Sequence, residues 1–158
     1  MKPCLHIIKG HNVGIFGDIG CFSTYHALPA LIAKMCKAKN DGLPNVIVFG
    51  TGNARREWLY IDDLANASLF LMNNYENNVP INIGYGDDIS MLSLSVMIKN
   101  IVEYDGELIF NSSCPDGMPR KLLNTTKLKQ LGWKSCAALM DGIRNSIDYF
   151  VQISDVKV

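Results

Sequence analysis

Residues 46–67 read VIVFGTGNARREWLYIDDLANA. An apolar run from Val46 to Phe49 enters a Gly50-Thr-Gly-Asn53 turn, followed by Arg55 and Arg56. A second apolar run, Trp58 to Ile61, then meets Asp62-Asp63 at the head of an amphipathic helix. The pattern predicts two strands joined by a glycine hinge, with a helix starting directly after the second. Glycines let the backbone approach an anionic ligand closely, and guanidinium groups beside them can fork onto phosphate or sugar oxygens. A surface hairpin carrying two solvated arginines accounts for the same letters.

On the N-terminal side, residues 1–13 lack periodicity and are expected to be irregular. Gly14-Ile-Phe-Gly17-Asp-Ile-Gly20 has the spacing of a dinucleotide-binding loop. Such a loop needs a buried strand before it and a helix starting among the glycines, and the polar Lys9-Gly-His-Asn12 precedes it instead, so the glycines are read as a coincidence of spacing. Thr24 is the expected cap of a helix reaching about Lys39, with Leu28, Leu31, Ile32 and Met35 inward and Pro29 in its first turn.

On the C-terminal side, the helix opened by Asp62 should reach about Asn73, with Leu64, Ala67, Ser68 and Leu71 on one side. Pro80 to Gly84 (PINIG) is expected to be a buried strand. Ser90 should cap a helix that buries Leu94, Met97, Ile98 and Ile101 and ends near Tyr104-Asp105-Gly106. A strand over Glu107 to Phe110, a polar loop over residues 112–121, a short helix from Thr125 to Gly132 and a last helix over about residues 137–151 complete the series. No repeat or linker divides it. The expectation is one α/β unit over residues 14–151 with a tail at 152–158.

Composition narrows the function classes. Lysine plus arginine number 15 and aspartate plus glutamate 15, so no net field favours nucleic acid or an acidic membrane surface. The apolar fraction is 48%, yet no apolar run approaches the roughly 20 residues of a membrane helix. Met1 to Lys9 is too short in its apolar centre for a secretory signal, which suggests a cytoplasmic chain. Cys4, Cys21, Cys36, Cys114 and Cys136 form an odd set without a Cys-x-x-Cys pair. They are read as reduced and mostly buried, with no metal site.

Taken together, the stretch above, PINIG and CPDGMPRKLLNTTKLKQLGW (residues 114–133) resemble the C-terminal half of the GDP-L-fucose synthases. These are extended short-chain dehydrogenase/reductases of the NAD-dependent epimerase/dehydratase superfamily. The Gly-x-Gly, Arg and Asp-Asp pattern marks the superfamily. The narrower signals are Pro115-Asp116-Gly-Met-Pro119-Arg120-Lys121 and His26-Ala-Leu-Pro29-Ala-Leu. The resemblance implies the α/β substrate-binding lobe of such an enzyme, a small mixed sheet with packed helices, with the Rossmann half absent.

Members of that family epimerise two carbons beside a ketone of GDP-4-keto-6-deoxymannose and reduce the ketone with NADPH. Epimerisation needs one group to remove a proton and another to return it from the opposite face. The resemblance gives His26 one of these roles and assigns substrate contacts to Lys34, Phe49, Arg56, Asp116 and Lys121. Lys34 stands where the family has arginine, and Phe49 where it has tryptophan. Phe16-Gly17 is similar to the Tyr-Gly that passes the nicotinamide. The family's glycine loop, its cysteine partner for the histidine and its Tyr-x-x-x-Lys pair have no counterpart: none of Tyr25, Tyr60, Tyr75, Tyr85, Tyr104 and Tyr149 is followed four residues later by lysine.

The resemblance therefore implies the GDP-sugar site of a synthase-like enzyme that is inactive alone, does not bind NADP by itself, and exposes an apolar face where a chain carrying the Rossmann half would dock. A non-catalytic nucleotide-sugar binding module, or an interaction protein pairing with a full-length relative, fits the same residues. Neither nucleic acid nor membrane is an expected partner.

Overall fold

The computed structural model describes the backbone of residues 14–16 and the whole of residues 27–154. Residues 1–13, the Thr24 cap, Cys4, Cys21 and the last four residues of the tail lie outside the described residues. The elements run β1 (Gly14–Phe16), α1 (Ala27–Asn40), β2 (Asn45–Phe49), β3 (Arg55–Tyr60), α2 (Ile61–Asn74) and β4 (Asp88–Ser90). They continue with α3 (Met91–Val102), β5 (Glu107–Asn111), β6 (Arg120–Lys121), α4 (Thr126–Gln130) and α5 (Leu139–Ile153). The α/β class expected from the sequence is the class observed.

Strand β3 is the hub. Its C-terminal half pairs in parallel with β1, Trp58 opposite Gly14. Its N-terminal half lies between antiparallel β4, with Arg56 opposite Ile89, and parallel β6, with Arg56 opposite Lys121. A separate parallel pair, β2 with β5, sets Ile47 opposite Ile109. Successive side chains of a strand point to opposite faces, so β3 divides the interior in two. Trp58 joins a core built from Leu28, Ile32 and Met35 of α1, Val46 and Val48 of β2, Leu94 and Ile98 of α3, and Ile143 and Ile147 of α5. Leu59 joins the other, with Ala67 and Leu71 of α2, Ile83, Leu128 of α4 and Trp133.

The inward faces expected for α1 and α3 are the ones buried, with Met97 and Ile101 only partly covered. Ser90 caps α3, its Oγ accepting the Ser93 N–H at 3.0 Å. The helix stops as Glu103 turns left-handed, at φ 56°. A left-handed residue costs about 1–2 kcal/mol. The full burial of Leu94 and Ile98, roughly 1.5–3 kcal/mol each, outweighs it.

Three expectations fail. Residues 80–84 form no strand: Ile83 and Gly84 are buried, but the segment is held by side chains instead of a ladder. Glu57, fully buried, accepts the N–H of Gly86 at 2.5 Å and that of Leu123 at 2.8 Å, while Asn82 donates to the Asn124 carbonyl at 3.1 Å. The pairing strand falls later, at β4. The polar loop over residues 112–121 ends in β6, which its composition conceals. Among the cysteines, Cys36 is buried, and loss of water around it pushes its thiol up to about 11, but Cys114 is half-buried and Cys136 exposed.

Because Glu57 accepts two backbone N–H groups, Glu57→Gln places an amide donor against one of them. The expected loss is about 2–4 kcal/mol of unfolding free energy. Urea denaturation measures it, and a loss below ~0.5 kcal/mol would show that the carboxylate does not brace the two loops.

Candidate functional site

The site grows from the turn between β2 and β3. Gly50 and Gly52 have φ of 89° and 84°, a region closed to most side chains. Space demands glycine as well: a Cβ on Gly50 would lie 2.1 Å from Asp116 Oδ1, and one on Gly52 2.8 Å from the Phe110 ring. Asp116 fastens the turn from the loop after β5. Its Oδ1 accepts the Thr51 N–H at 2.7 Å and its Oδ2 accepts the Thr51 hydroxyl at 2.5 Å. The Thr51 hydroxyl, with the Thr51 N–H next, holds the Asp116 carboxyl below its ordinary value. Both carboxylate oxygens are thus engaged in shaping the backbone.

Arg56 lies beside this staple. It donates through Nη1 to the Arg55 carbonyl at 2.7 Å and through Nη2 to the Asp116 carbonyl at 3.2 Å. Both acceptors are neutral, and among the described residues Arg56 forms no ion pair. Lys121 is its ladder neighbour on β6, so the two side chains leave the sheet on the same face. Arg55 has the opposite fate. Asp88, its side chain fully enclosed, accepts Arg55 Nε at 2.6 Å through Oδ1, and its other oxygen accepts Arg120 Nε. The Arg120 bond, above all, keeps the Asp88 carboxyl below its ordinary value. The sequence reading missed Asp88 and Arg120, since nothing in their spacing signals a shared carboxylate.

Lys34 and Phe49, far apart in sequence, meet. The Lys34 ammonium lies 4.3 Å from the centroid of the Phe49 ring and donates to the Ile47 carbonyl at 3.4 Å. Phe49 remains 65% exposed, so most of its ring is open to solvent next to Gly50. Beside Arg56 a cavity of about 290 Å3 opens, lined also by Trp58, Tyr85, Asp87, Asp88, Ile89 and Leu139.

His26, Gly17 and the Phe16 side chain lie outside the described residues. Gly14, the first of the spaced glycines, lies within β1, and Gly20 also lies outside the described residues. The sequence has no Tyr-x-x-x-Lys, and no hydride-transfer step is assigned to the described residues. No group of three or more metal-ligating side chains occurs among the described residues, and no helix among them is long and apolar enough to cross a membrane.

This arrangement has known relatives. The profile of the NAD dependent epimerase/dehydratase family matches residues 11–84. GDP-L-fucose synthase 1 of Arabidopsis thaliana is 39% identical over 147 residues, covering 92% of this chain and 46% of the relative. Over residues 11–84 the chain is similar to the NAD dependent epimerase/dehydratase family. A GDP-L-fucose synthetase structure from Naegleria fowleri superposes with a TM-score of 0.83 at 27% identity, over 89% of this chain and 44% of that one. GDP-mannoheptose C4 reductase from Campylobacter jejuni, solved with NADP bound, gives 0.75 at 34% identity, over 87% and 47%. The chain thus spans less than half the length of these three relatives.

The staple at Asp116 titrates with a defined sign. Its folded pKa lies below the unfolded one, so the stabilisation it gives is complete above the ordinary value of 3.8 and is lost as pH falls through the lower folded value. Carbon-detected NMR should put the Asp116 midpoint below 3.8, and Thr51→Val should move it back up. An unmoved midpoint would remove the hydroxyl as the cause.

Proposed function

We propose that the chain forms the nucleotide-sugar wall of a GDP-L-fucose synthase-like site, with the binding lobe over residues 14–151. The observation that carries the reading is Arg56. Its guanidinium forms no close ion pair among the described residues, and two carbonyls aim it over a glycine turn fixed by Asp116. A diphosphate would add a close counter-charge, and Lys121 on the same face adds a second cation. Phe49, backed by Lys34, offers a flat surface one residue from the turn, suited to stacking a purine. Asp116 serves binding by holding Thr51 and the carbonyl on which Arg56 rests.

In this reading, His26 moves a proton at a carbon beside the substrate ketone, and its partner across the sugar, together with the NADPH site, comes from another segment or chain. The relatives' names support GDP-sugars as the ligand class. The exposed Ile47, Phe49 and Ile109 on the outer face of the β2–β5 pair favour a second reading, a non-catalytic partner of a full-length relative.

Titration calorimetry of the purified chain separates the two. GDP should bind saturably, NADPH should give no heat, and Arg56→Ala should weaken GDP by about 10- to 100-fold, the range of one charged hydrogen-bonding group. No GDP binding, together with a complex formed with a full-length synthase on gel filtration, would favour the second reading. Spectrophotometry should show no NADPH oxidation by this chain with the keto sugar, and measurable turnover would overturn the split of labour proposed.

A further inference from the structure

Strand β5 is half of a two-stranded parallel sheet, and its ladder bonds run to one side. The Glu107 N–H donates to the Pro44 carbonyl at 2.8 Å, and the Asn111 carbonyl accepts the Gly50 N–H at 3.0 Å. Backbone groups alternate in direction along a strand. Glu107, Ile109 and Asn111 therefore turn theirs to β2, and the N–H and C=O groups of Leu108 and Phe110 point the other way. Among the described residues no strand takes that outer edge. The side chains mark the same edge: on the face packed against the core, Val46 and Val48 of β2 are buried, whereas Leu108 and Phe110 beside them are only half-buried. On the opposite face Ile109 is 41% exposed.

Proteins usually blunt such an edge with lysine, proline or a bulge. Residues 107–111 read Glu-Leu-Ile-Phe-Asn, and their register against β2 runs unbroken. What fits the edge is β5 itself. Run antiparallel to a second copy about a two-fold axis at Ile109, it sets Leu108 opposite Phe110 and Phe110 opposite Leu108. These are the positions whose backbone groups point outward, so each pair exchanges two N–H···O=C bonds. On the exposed face Ile109 meets Ile109 of the second copy. Glu107 then lies opposite Asn111, whose Oδ1 accepts the Ser113 N–H at 3.1 Å and whose amide N–H groups can donate to the carboxylate. No like charges stand opposite each other. With 15 basic and 15 acidic residues, two copies also carry no net charge to repel them.

We propose that β5 pairs with β5 of a second copy, joining two two-stranded sheets into one of four strands. The contact does not depend on which ligand the Arg56 site takes. Apolar surface continues from Phe110 to Leu92 of α3, its neighbour at Gly52, and to Val96 one turn along, both of them exposed.

Sedimentation velocity from roughly 10 to 500 μM should show a reversible monomer–dimer equilibrium, a range suited to an interface smaller than the standard size. Ile109→Lys, at an exposed position, puts two ammonium groups opposite each other. It should weaken the dimer about 10-fold or more while the circular dichroism stays that of the wild type. Under a mild oxidant Ile109→Cys should form a covalent dimer, because the Cβ atoms of such a pair lie about 4.5–5.5 Å apart. Ile47→Cys, on the same face but roughly 14 Å from its copy across three strand spacings, should not cross-link above the wild-type background. A monomer throughout the range, a dimer indifferent to Ile109→Lys, or Ile47→Cys cross-linking as readily as Ile109→Cys, the mark of stacked faces, would overturn the paired edge.

Discussion

Two guanidinium groups close on one enclosed carboxylate, and the central sheet depends on it. Asp88 takes Arg55 from β3 and Arg120 from β6, and its own backbone carbonyl accepts a second bond from Arg55 at 2.7 Å. Strand β6 has only two residues, too few to hold itself by ladder bonds. The arginines are about half exposed, so their desolvation is modest, and the enclosed carboxylate obtains charged donors on both oxygens.

The same device recurs. Glu57 binds the backbone at Gly86 and Leu123, while Asp63 accepts the N–H groups of Cys136 and Ala137 at 2.8 and 3.2 Å. Buried carboxylates usually carry a desolvation cost that weak partners do not repay. Here each meets two donors, and each attaches an irregular segment to β3 or to the helix that follows it. The segments after α2, β6 and α4 gain order this way without forming strands. Asp116 extends the pattern to the surface, where it shapes the glycine turn.

Periodicity explains how far the sequence could be read. The helices declare themselves because Leu94 and Ile98, or Ile143 and Ile147, recur one turn apart, and Ser90 stands where a cap belongs. The stretch around Arg56 is legible for a similar reason, since glycines between two apolar runs have few other uses. PINIG misleads because its apolar letters fit a strand, whereas its backbone partners are side chains distant in sequence. β6 and the Asp88 clamp are invisible for the same cause: a side chain that bonds residues about thirty positions away leaves no local period. Asp116 was found through resemblance, but its atoms are directed at Thr51, a detail no motif conveys. Lys34 and Phe49 meet only because α1 packs beside β2, which fixes their partnership in three dimensions and not in the chain.

Strand alternation finally separates two neighbouring arginines that the sequence presents as equivalent. Arg55, Glu57 and Leu59 face one side of β3, with Asp88 opposite Glu57 in the ladder; Arg56, Trp58 and Tyr60 face the other. A slip of one residue in the pairing would exchange these sets, sending Arg56 to Asp88 and placing the Glu57 carboxylate on the face that Arg56 now occupies. The clamp resists that slip, because only the observed register brings Arg55 and Arg120 together on one carboxylate. The charge that is neutralised inside the fold therefore fixes the charge that is left unneutralised at the site. The turn fastened by Asp116 then sets the angle at which Arg56 leaves the sheet.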